Sequence, residues 1–252
     1  MKWLSFVVVL GASSALAQSQ SLSLSGEKKQ LETSRNMFFE FKLSPFTPLV
    51  DRPFGDLKEE ERPWYKNYGN TPMLLGEIEF DFQFFQAFGS LAVGASVGYA
   101  EKFGKAFDAA TGARIDQSNG VRLLPLKALL VYRWDWAKQK WGIPLVPYLK
   151  GAFVAMPYWL LLGSEIEMYS DEVKALGAGY GVKYGFAGVA GLALELDFLD
   201  RRLSRDFDSS VGVNHTYLFA EFTLQEMALF NTSAKGLDFS SRHAIFGIGF
   251  EF

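Results

Sequence analysis

The sequence predicts an all-β fold, a transmembrane up-and-down antiparallel β-barrel of eight strands. Short segments repeatedly alternate apolar and polar residues, which is the pattern of a strand whose two faces meet different surroundings. The polar faces carry charges, which a small apolar core tolerates badly and a barrel interior accepts. The chain is also unusually apolar and aromatic, with 49% hydrophobic residues and 24 Phe among 252 residues. Strands that cross a membrane must close into a barrel, because lipid offers no hydrogen-bond partner to a free sheet edge.

The last segment of the chain alternates most regularly. Its apolar positions end on a terminal aromatic residue and are Phe246, Ile248, Phe250 and Phe252. This arrangement is typical of the signal that the outer-membrane barrel assembly machinery recognises, although a soluble β-sandwich can end on a similar strand. We therefore expect outer-membrane lipids and that assembly machinery as partners.

Seven further segments show the same alternation, and most are at least as long as the 9 to 11 residues that a tilted membrane strand needs. They are approximately Met37–Leu43, Leu74–Phe84, Ser90–Glu101, Arg122–Asp135, Val146–Leu160, Val182–Phe198 and Thr216–Gln225. The fifth contains Pro147 and Pro157, which cannot donate to a strand ladder. Long and short connections alternate, as outer loops and periplasmic turns do. A hairpin hidden within 165–178 or 207–213 would raise the count to ten strands.

The start of the chain predicts export. Lys2 precedes a short apolar run, and the small residues Ala15 and Ala17 stand before Gln18, which together form a Sec signal peptide. We therefore expect a signal peptide over 1–17, a periplasmic N-terminal segment over 18–35 and an outer-membrane barrel over 36–252. The expected location is the outer membrane after Sec-dependent export.

Three segments carry a family resemblance: Met37–Asp51, Asp208–Glu221 and Phe246–Phe252. Through them the chain resembles a family of uncharacterised outer-membrane β-barrel proteins known mainly from myxobacteria. The resemblance spans nearly the whole chain after the signal peptide. It implies the fold and the location, and it implies no activity or catalytic residue.

Charged residues of both signs occupy the polar faces of the predicted strands, and we expect them to form an ion network in the lumen. Its predicted members are Glu40, Lys42, Glu77, Glu79, Asp81, Lys127, Arg133, Asp135, Lys150, Lys183, Glu195, Asp197, Glu221 and Glu251. An eight-stranded barrel is just wide enough to be filled by its own side chains. The network is therefore predicted to plug the barrel rather than to line a pore.

Large aromatic residues cluster near the ends of the predicted membrane band. Tyr132, Trp134, Trp136, Trp141, Tyr158 and Trp159 are predicted to form the aromatic girdles at the two membrane interfaces. Trp64 belongs to the same expected belt. The alternative is that these residues are ordinary core aromatics.

Catalytic chemistry has little support in the sequence. The chain has no Cys and two His, which excludes thiolate and multi-His metal centres. His215 with Glu221 or Glu226 is one candidate constellation, and Ser240 or Ser241 with His243 is the other. We expect no catalytic, cofactor or metal site, and the net charge of −3 argues against nucleic acid as a partner.

The function predicted from these features is that of a small non-enzymatic outer-membrane barrel with a structural or surface-interaction role. A narrow channel for small solutes and a lipid-modifying enzyme are the two alternatives. The acidic loop tracts Asp56–Tyr65 and Ser164–Glu172 offer a possible site for an unknown surface ligand.

Overall fold

The computed structural model describes residues 36–107, 114–135, 140–163, 165–166, 179–197, 212–227 and 237–252. The predicted signal peptide and the segment 18–35 lie outside the described residues. The strands are β1 (Met37–Phe46), β2 (Met73–Gln86), β3 (Ser90–Phe107), β4 (Arg114–Leu123), β5 (Leu126–Arg133), β6 (Leu145–Leu162), β7 (Glu165–Ile166), β8 (Tyr180–Glu195), β9 (His215–Glu226) and β10 (Ser241–Glu251). Between β1 and β2 lie two 3-10 turns, Arg52–Phe54 and Glu59–Glu61, and the helix α1 (Pro63–Tyr68).

The strands close into a ring of antiparallel neighbours. β1 pairs with β2 on one side and with β10 on the other, and the remaining strands follow in chain order. β4 and β5 both lie between β3 and β6, so they are the two halves of one wall strand that is interrupted at Leu124 and Pro125. The two-residue β7 pairs with β6 outside the ring. The wall therefore has eight positions, which confirms the predicted eight-stranded antiparallel barrel and leaves no place in the ring for a further hairpin.

The barrel has two different rims. β1 begins and β10 ends at the same rim, which we call the terminal end, and α1 with the two 3-10 turns belongs to the opposite rim, the loop end.

Within the described residues, no helix has both the length and the apolar character that a membrane crossing requires.

Alternate residues of each strand face opposite sides of the wall, as the pleat requires. On β9, Phe222 is 51% exposed on the outside while Glu221 is 3% exposed on the inside. The same division holds on β2, where Phe80 and Phe82 are exposed and Asp81 is buried. The wall is thus apolar on its outer face and carries buried charges on part of its inner face, an arrangement that suits lipid surroundings.

The interior is arranged in three layers along the barrel axis. The inward residues of β6 give the order, with Val146 and Tyr148 at the terminal end, Lys150 in the middle, and Val154 and Met156 towards the loop end. A small apolar cluster around Phe38 and Phe219 occupies the terminal third, and a larger one around Phe46, Met156 and Phe239 fills the loop third and continues along the wall to Val131. The charged layer crosses the barrel axis between Phe38 and Phe219 on the terminal side and Phe46 and Met156 on the loop side.

Several strand limits differ from the prediction. β3 continues from the predicted end at Glu101 to Phe107, and β4 begins at Arg114 rather than at Arg122, because these polar extensions pair with each other beyond the apolar band. β8 ends at Glu195 rather than at Phe198.

β6 contains both prolines near its two ends. Their carbonyl groups still accept hydrogen bonds, from the N–H of Trp134 to Pro147 at 2.9 Å and from the N–H of Leu124 to Pro157 at 3.0 Å. Pro157 therefore faces the interruption between β4 and β5, where the ladder is already broken.

Candidate functional site

The charged layer in the middle of the barrel is the candidate functional site. Each contributing strand turns its alternate residues to the axis, so β1, β2, β5, β6 and β9 all supply charges to the interior. The members in contact there are Glu40, Lys42, Glu77, Glu79, Asp81, Lys127, Arg133, Lys150 and Glu221. All of these residues are buried.

Two lysines form the centre of this network. Lys42 Nζ lies 2.7 Å from Glu79 Oε2, 2.9 Å from Glu40 Oε2 and 3.4 Å from Glu221 Oε2. Lys150 Nζ lies 2.6 Å from Glu40 Oε2 and 3.0 Å from Glu221 Oε1, and it also contacts Glu79. Three carboxylates therefore share two ammonium groups, and the contacts join β1, β2, β6 and β9 across the interior.

Arg133 extends the network towards the terminal end. Its guanidinium donates to Glu40 at 2.9 Å and to Asp81 at 3.2 Å, and it lies 3.3 Å from the centre of the Phe38 ring. A planar cation suits this position, since it bonds carboxylates with its edge and stacks on an aromatic face. Lys127 and Glu77 form a separate pair at 2.5 Å towards the loop end.

The other residues predicted for the network lie elsewhere. Glu251 accepts hydrogen bonds from Tyr217 at 2.8 Å and from Gln83 at 3.3 Å near the terminal end. Lys183 is half-buried near the loop end of β8, with the parity of the inward-facing residues of that strand, and lies outside the central network. Position along the strand explains this difference, because alternation gives the face of a residue and not its depth.

Three other predicted members lie closer to the terminal rim than the central network does: Asp135, Glu195 and Asp197. Asp135 lines a small cavity of about 20 Å³ together with Arg133 and Tyr148. That volume accommodates about one water molecule. The interior of the described barrel is therefore filled at this level as well.

Glu195 and Asp197 meet His215, a grouping that the sequence did not suggest. His215 Nδ1 contacts Asp197 Oδ2 and lies 3.7 Å from Glu195 Oε1, while the N–H of Thr216 donates to Asp197 Oδ1 at 3.3 Å. The potential ligand atoms lie within 4.8 Å of one another. One imidazole and two carboxylates are a donor set that divalent transition metals accept.

A second group of carboxylates, Glu40, Glu79 and Asp81, also has ligand atoms close together. There the cations of Lys42, Lys150 and Arg133 already occupy the space between the oxygens. The predicted pairing of His215 with Glu221 or Glu226 is not formed, since Glu221 belongs to the central network and Glu226 lies at the other end of β9.

The second catalytic candidate was Ser240 or Ser241 with His243, and in the structure Ser241 and His243 form a buried hydrogen bond. Ser241 Oγ lies 2.9 Å from His243 Nδ1, and Ser241 is 0% exposed. Ser240 is engaged elsewhere, because its hydroxyl donates to Glu226 at 2.7 Å and accepts from the N–H of Met227 at 2.8 Å. A nucleophile must come within about 3 Å of a substrate carbonyl. The burial of Ser241 inside the wall prevents such an approach.

The predicted girdle residues divide into two groups. Tyr132, Trp134 and Trp141 are exposed, and Trp159 is half-buried. Tyr158 faces inward, where its ring packs 5.1 Å from that of Phe239, so its assignment to the girdle is wrong. Tyr158 lies two residues after Met156 and four after Val154 on β6, so it shares their inward face. Trp136 lies outside the described residues.

The loop between β1 and β2 folds over the loop end of the barrel. The carboxylate of Asp51 accepts hydrogen bonds from the N–H groups of Trp64 and Tyr65 at 2.7 and 3.1 Å, which fixes the start of α1. Trp64 is consequently buried against the apolar cluster of the loop third rather than placed in a girdle.

An ion pair fastens this loop to the end of β9. Arg52 Nη1 lies 3.0 Å from Glu226 Oε1, and Arg52 Nε lies 3.4 Å from Asp238 Oδ2. The hydrogen bond to Glu226 raises the pKa of Arg52, which favours the charged form of its guanidinium. The loops that frame the loop end are thus tied to one another.

The predicted assembly residues lie along the seam between β10 and β1. Phe246 is exposed on the outside, and Ile248, Phe250 and Phe252 are half-buried. The N–H of Phe252 donates to the carbonyl of Met37 at 2.8 Å, so the last residue still belongs to the strand ladder.

Comparison with known proteins reveals similarity of fold only. No protein-family model and no curated protein matches the chain. Among solved structures, Neisserial surface protein A (NspA) is 11% identical, with 86% of this chain and 97% of that chain covered and a TM-score of 0.48. The N-terminal β-barrel domain of OprF from Pseudomonas aeruginosa is 14% identical, with 86% and 98% covered and a TM-score of 0.37.

A third similar structure is Ail, the attachment invasion locus protein of Yersinia pestis, in complex with the heparin analogue sucrose octasulfate. It is 10% identical, with 86% of this chain and 97% of that chain covered and a TM-score of 0.40. Similarity at this level identifies no residue, ligand or activity. The assignment to the barrel class therefore rests on the pairing of the strands themselves.

Proposed function

We propose that this chain is a small, non-enzymatic outer-membrane β-barrel that strengthens the cell envelope and presents its loop end at the cell surface. The observation that carries the proposal is the contrast between the two sides of one wall. Paired charges fill the middle of the inside, and large apolar side chains cover the outside.

The apolar outside supports a membrane location. Phe41, Phe80, Leu130, Leu149 and Phe222 are among the large side chains exposed around the wall. In water, contiguous exposed apolar surface of this extent promotes association. In a bilayer the same surface contacts lipid, and the strands satisfy their backbone groups around the ring.

The filled interior supports a structural role over transport. Lys42, Lys150 and Arg133 hold carboxylates from several strands at contact distance in the middle of the barrel. An ion or solute crossing the lumen would have to break these contacts. Removing one partner from a buried ion pair costs about 3 to 5 kcal/mol, which opposes any spontaneous opening.

The loop end supports a role at the surface. The terminal end carries both ends of the described barrel, and the loop end carries α1 and the tied loops. In barrels of this class the short turns are periplasmic and the long loops are external. The rim held by Arg52 and Glu226 would then face outward and be available for interaction with a surface partner.

Planar-bilayer recording of the refolded protein tests the proposal. The expected result is no conductance step for the wild-type barrel. Replacing Lys150 and Glu40 together by Ala removes side chains from the centre of the plug and serves as the positive control, since some conductance should then appear. Regular wild-type conductance steps would contradict the proposal and favour a channel.

Cell fractionation tests the location independently. We expect the protein in the outer-membrane fraction, and a biotin-maleimide reagent applied to whole cells should label a Cys at Lys58 in the β1–β2 loop. A Cys at Ala87, in the short turn between β2 and β3, is the matched control and should be labelled only after the outer membrane is permeabilised. The reverse labelling pattern would contradict the proposed orientation.

A further inference from the structure

Strands β8 and β9 remain in contact at the terminal end, just beyond the last residue of β8. The N–H of Leu196 donates to the carbonyl of Thr216 at 2.8 Å, which keeps the two chains side by side. Glu195 and Asp197 stand on either side of Leu196, and His215 immediately precedes Thr216. The backbone therefore brings two carboxylates and one imidazole together.

The three side chains converge on one nitrogen. His215 Nδ1 contacts Asp197 Oδ2 and lies 3.7 Å from Glu195 Oε1. The N–H of Thr216 donates to the second oxygen of Asp197 at 3.3 Å, which orients that carboxylate. A hydrogen bond between His215 and Asp197 accounts for the first contact, but it does not account for the approach of Glu195 to the same nitrogen.

This cluster can be reached by a small ion. The side chains of Glu195, Asp197 and His215 are each 14 to 17% exposed, whereas those of the central network are almost fully buried. The cluster lies at the terminal end of the interior and shares no residue with that network. An ion could therefore enter here without opening the charged layer.

The terminal end of the interior is rich in negative charge. The predicted ion network contains nine carboxylates and five cations. Four of those cations lie in the central network, and the fifth, Lys183, lies near the loop end. Asp135 and Glu251 also lie at the terminal end, which gives this end four of the nine carboxylates. The electrostatic potential there favours the entry of a cation.

The donor atoms favour a transition metal over Ca²⁺ or Mg²⁺. These two hard cations take oxygen ligands, whereas imidazole suits zinc, copper, iron and nickel. Zn²⁺ binds a His nitrogen or a carboxylate oxygen at about 2.0 to 2.2 Å. The potential ligand atoms of the cluster already lie within 4.8 Å of one another, so small rotations of the two carboxylates would bring them onto one ion.

We propose that Glu195, Asp197 and His215 bind one divalent transition metal ion at the terminal end of the barrel interior. Three protein ligands leave a coordination position for water. The bound ion links the end of β8 to the start of β9. This site goes beyond the structural role proposed for the barrel and does not depend on it.

Calorimetric titration of the refolded protein with Zn²⁺ provides the first test. We expect saturable binding of one ion per barrel, with little competition from a large excess of Mg²⁺. An acidic surface alone would not distinguish the two ions. Absence of saturable Zn²⁺ binding, or its full displacement by Mg²⁺, would overturn the proposal.

Variants separate coordination from general attraction to negative charge. His215→Ala and Asp197→Asn each remove a ligand and should lower the Zn²⁺ affinity by about tenfold or more. Asp135→Asn is the matched control, because it removes a charge from the same end without removing a proposed ligand, and it should change the affinity much less. A loss in Asp135→Asn as large as that in His215→Ala would show that no specific site exists.

NMR of wild-type protein labelled with ¹⁵N at histidine identifies the coordinating nitrogen. The chain has two His, and His243 lies 2.9 Å from Ser241 in a buried contact on β10, so it serves as an internal control. Zn²⁺ should shift the Nδ1 resonance of His215 and leave His243 unchanged. The spectra of His215→Ala and His243→Gln assign the two rings. If Zn²⁺ shifts His243 instead, or shifts neither ring, the proposed site is wrong.

Discussion

The hydroxyl of Tyr148 on β6 donates a hydrogen bond of 3.0 Å to Glu221 on β9, although β8 lies between these two strands. The contact is possible because the β8 residue paired with both of them is Gly191. A Cβ atom at Gly191 would overlap the Tyr148 ring. The absence of a side chain at this position therefore lets the aromatic ring cross the intervening strand.

Gly191→Val should displace Tyr148 and destabilise the barrel by about 1 to 3 kcal/mol, the usual cost of overpacking. Gly188→Val is the matched control on the same strand, since nothing lies within 4 Å of a Cβ built there. Urea titration in lipid vesicles measures both variants. Equal stability of the two would contradict the proposed role of Gly191.

Phe222→Arg should destabilise the barrel by about 2 to 4 kcal/mol, because it places a charge against lipid near the middle of the bilayer. Phe222→Leu keeps an apolar side chain and should cost much less. Glu221→Gln on the inner face should also cost less than Phe222→Arg, since Lys42 and Lys150 each retain Glu40 and Glu79.

The same comparison applies to β2, with Phe82→Arg facing lipid and Gln83→Arg facing the interior. Urea titration in vesicles again provides the measurement. Equal tolerance on both faces of both strands would mean that the apolar side does not meet lipid, and a soluble lipid-binding barrel would then explain the fold better.

Lys150→Met should destabilise the barrel by about 3 to 5 kcal/mol, because Glu40, Glu79 and Glu221 lose a shared buried cation. The double variant Lys150→Met with Glu40→Gln removes one of the stranded charges and should recover part of the loss. Lys105→Met at the exposed end of β3 is the control and should change the stability by less than about 0.5 kcal/mol. A loss for Lys150→Met no larger than that of the control would show that the network contributes little.

Deletion of Phe252 should lower the amount of assembled protein in the outer membrane and induce periplasmic stress. The residue completes the ladder between β10 and β1 through its bond to Met37 and carries the terminal aromatic ring. Phe252→Tyr retains both features and should assemble normally. Quantitative blotting of outer-membrane fractions checks the result, and unchanged levels after the deletion would refute the assembly-signal hypothesis.

The inside and outside of the barrel were predictable from single residues because a strand has a period of two. Glu40 and Lys42, two residues apart on β1, had to share a face, and Phe41 had to occupy the other. Which charges meet was less predictable. Lys42 and Lys183 have the same character in the sequence, yet only Lys42 lies at the depth of the central network.

Contacts that depend on strand register or on loop folding could not be predicted from the sequence. Asp197 contacts His215 because the end of β8 lies beside the start of β9. No local sequence pattern predicts that alignment. The sequence placed Trp64 in a membrane-interface girdle. The hydrogen bond from its N–H to Asp51 instead orients α1 so that the Trp64 side chain points into the barrel. In both cases the deciding interaction is distant in the sequence.

The seam that closes the ring joins β1 to β10, the first and last of the described strands. It pairs Phe38 with Glu251 and Leu43 with Phe246. Contacts between segments so distant in the chain form slowly. Until the seam closes, the nascent sheet has two open edges that can recruit strands from other chains. The interval before closure is therefore the period of greatest aggregation risk, and its length should govern how strongly the unfolded chain depends on chaperones.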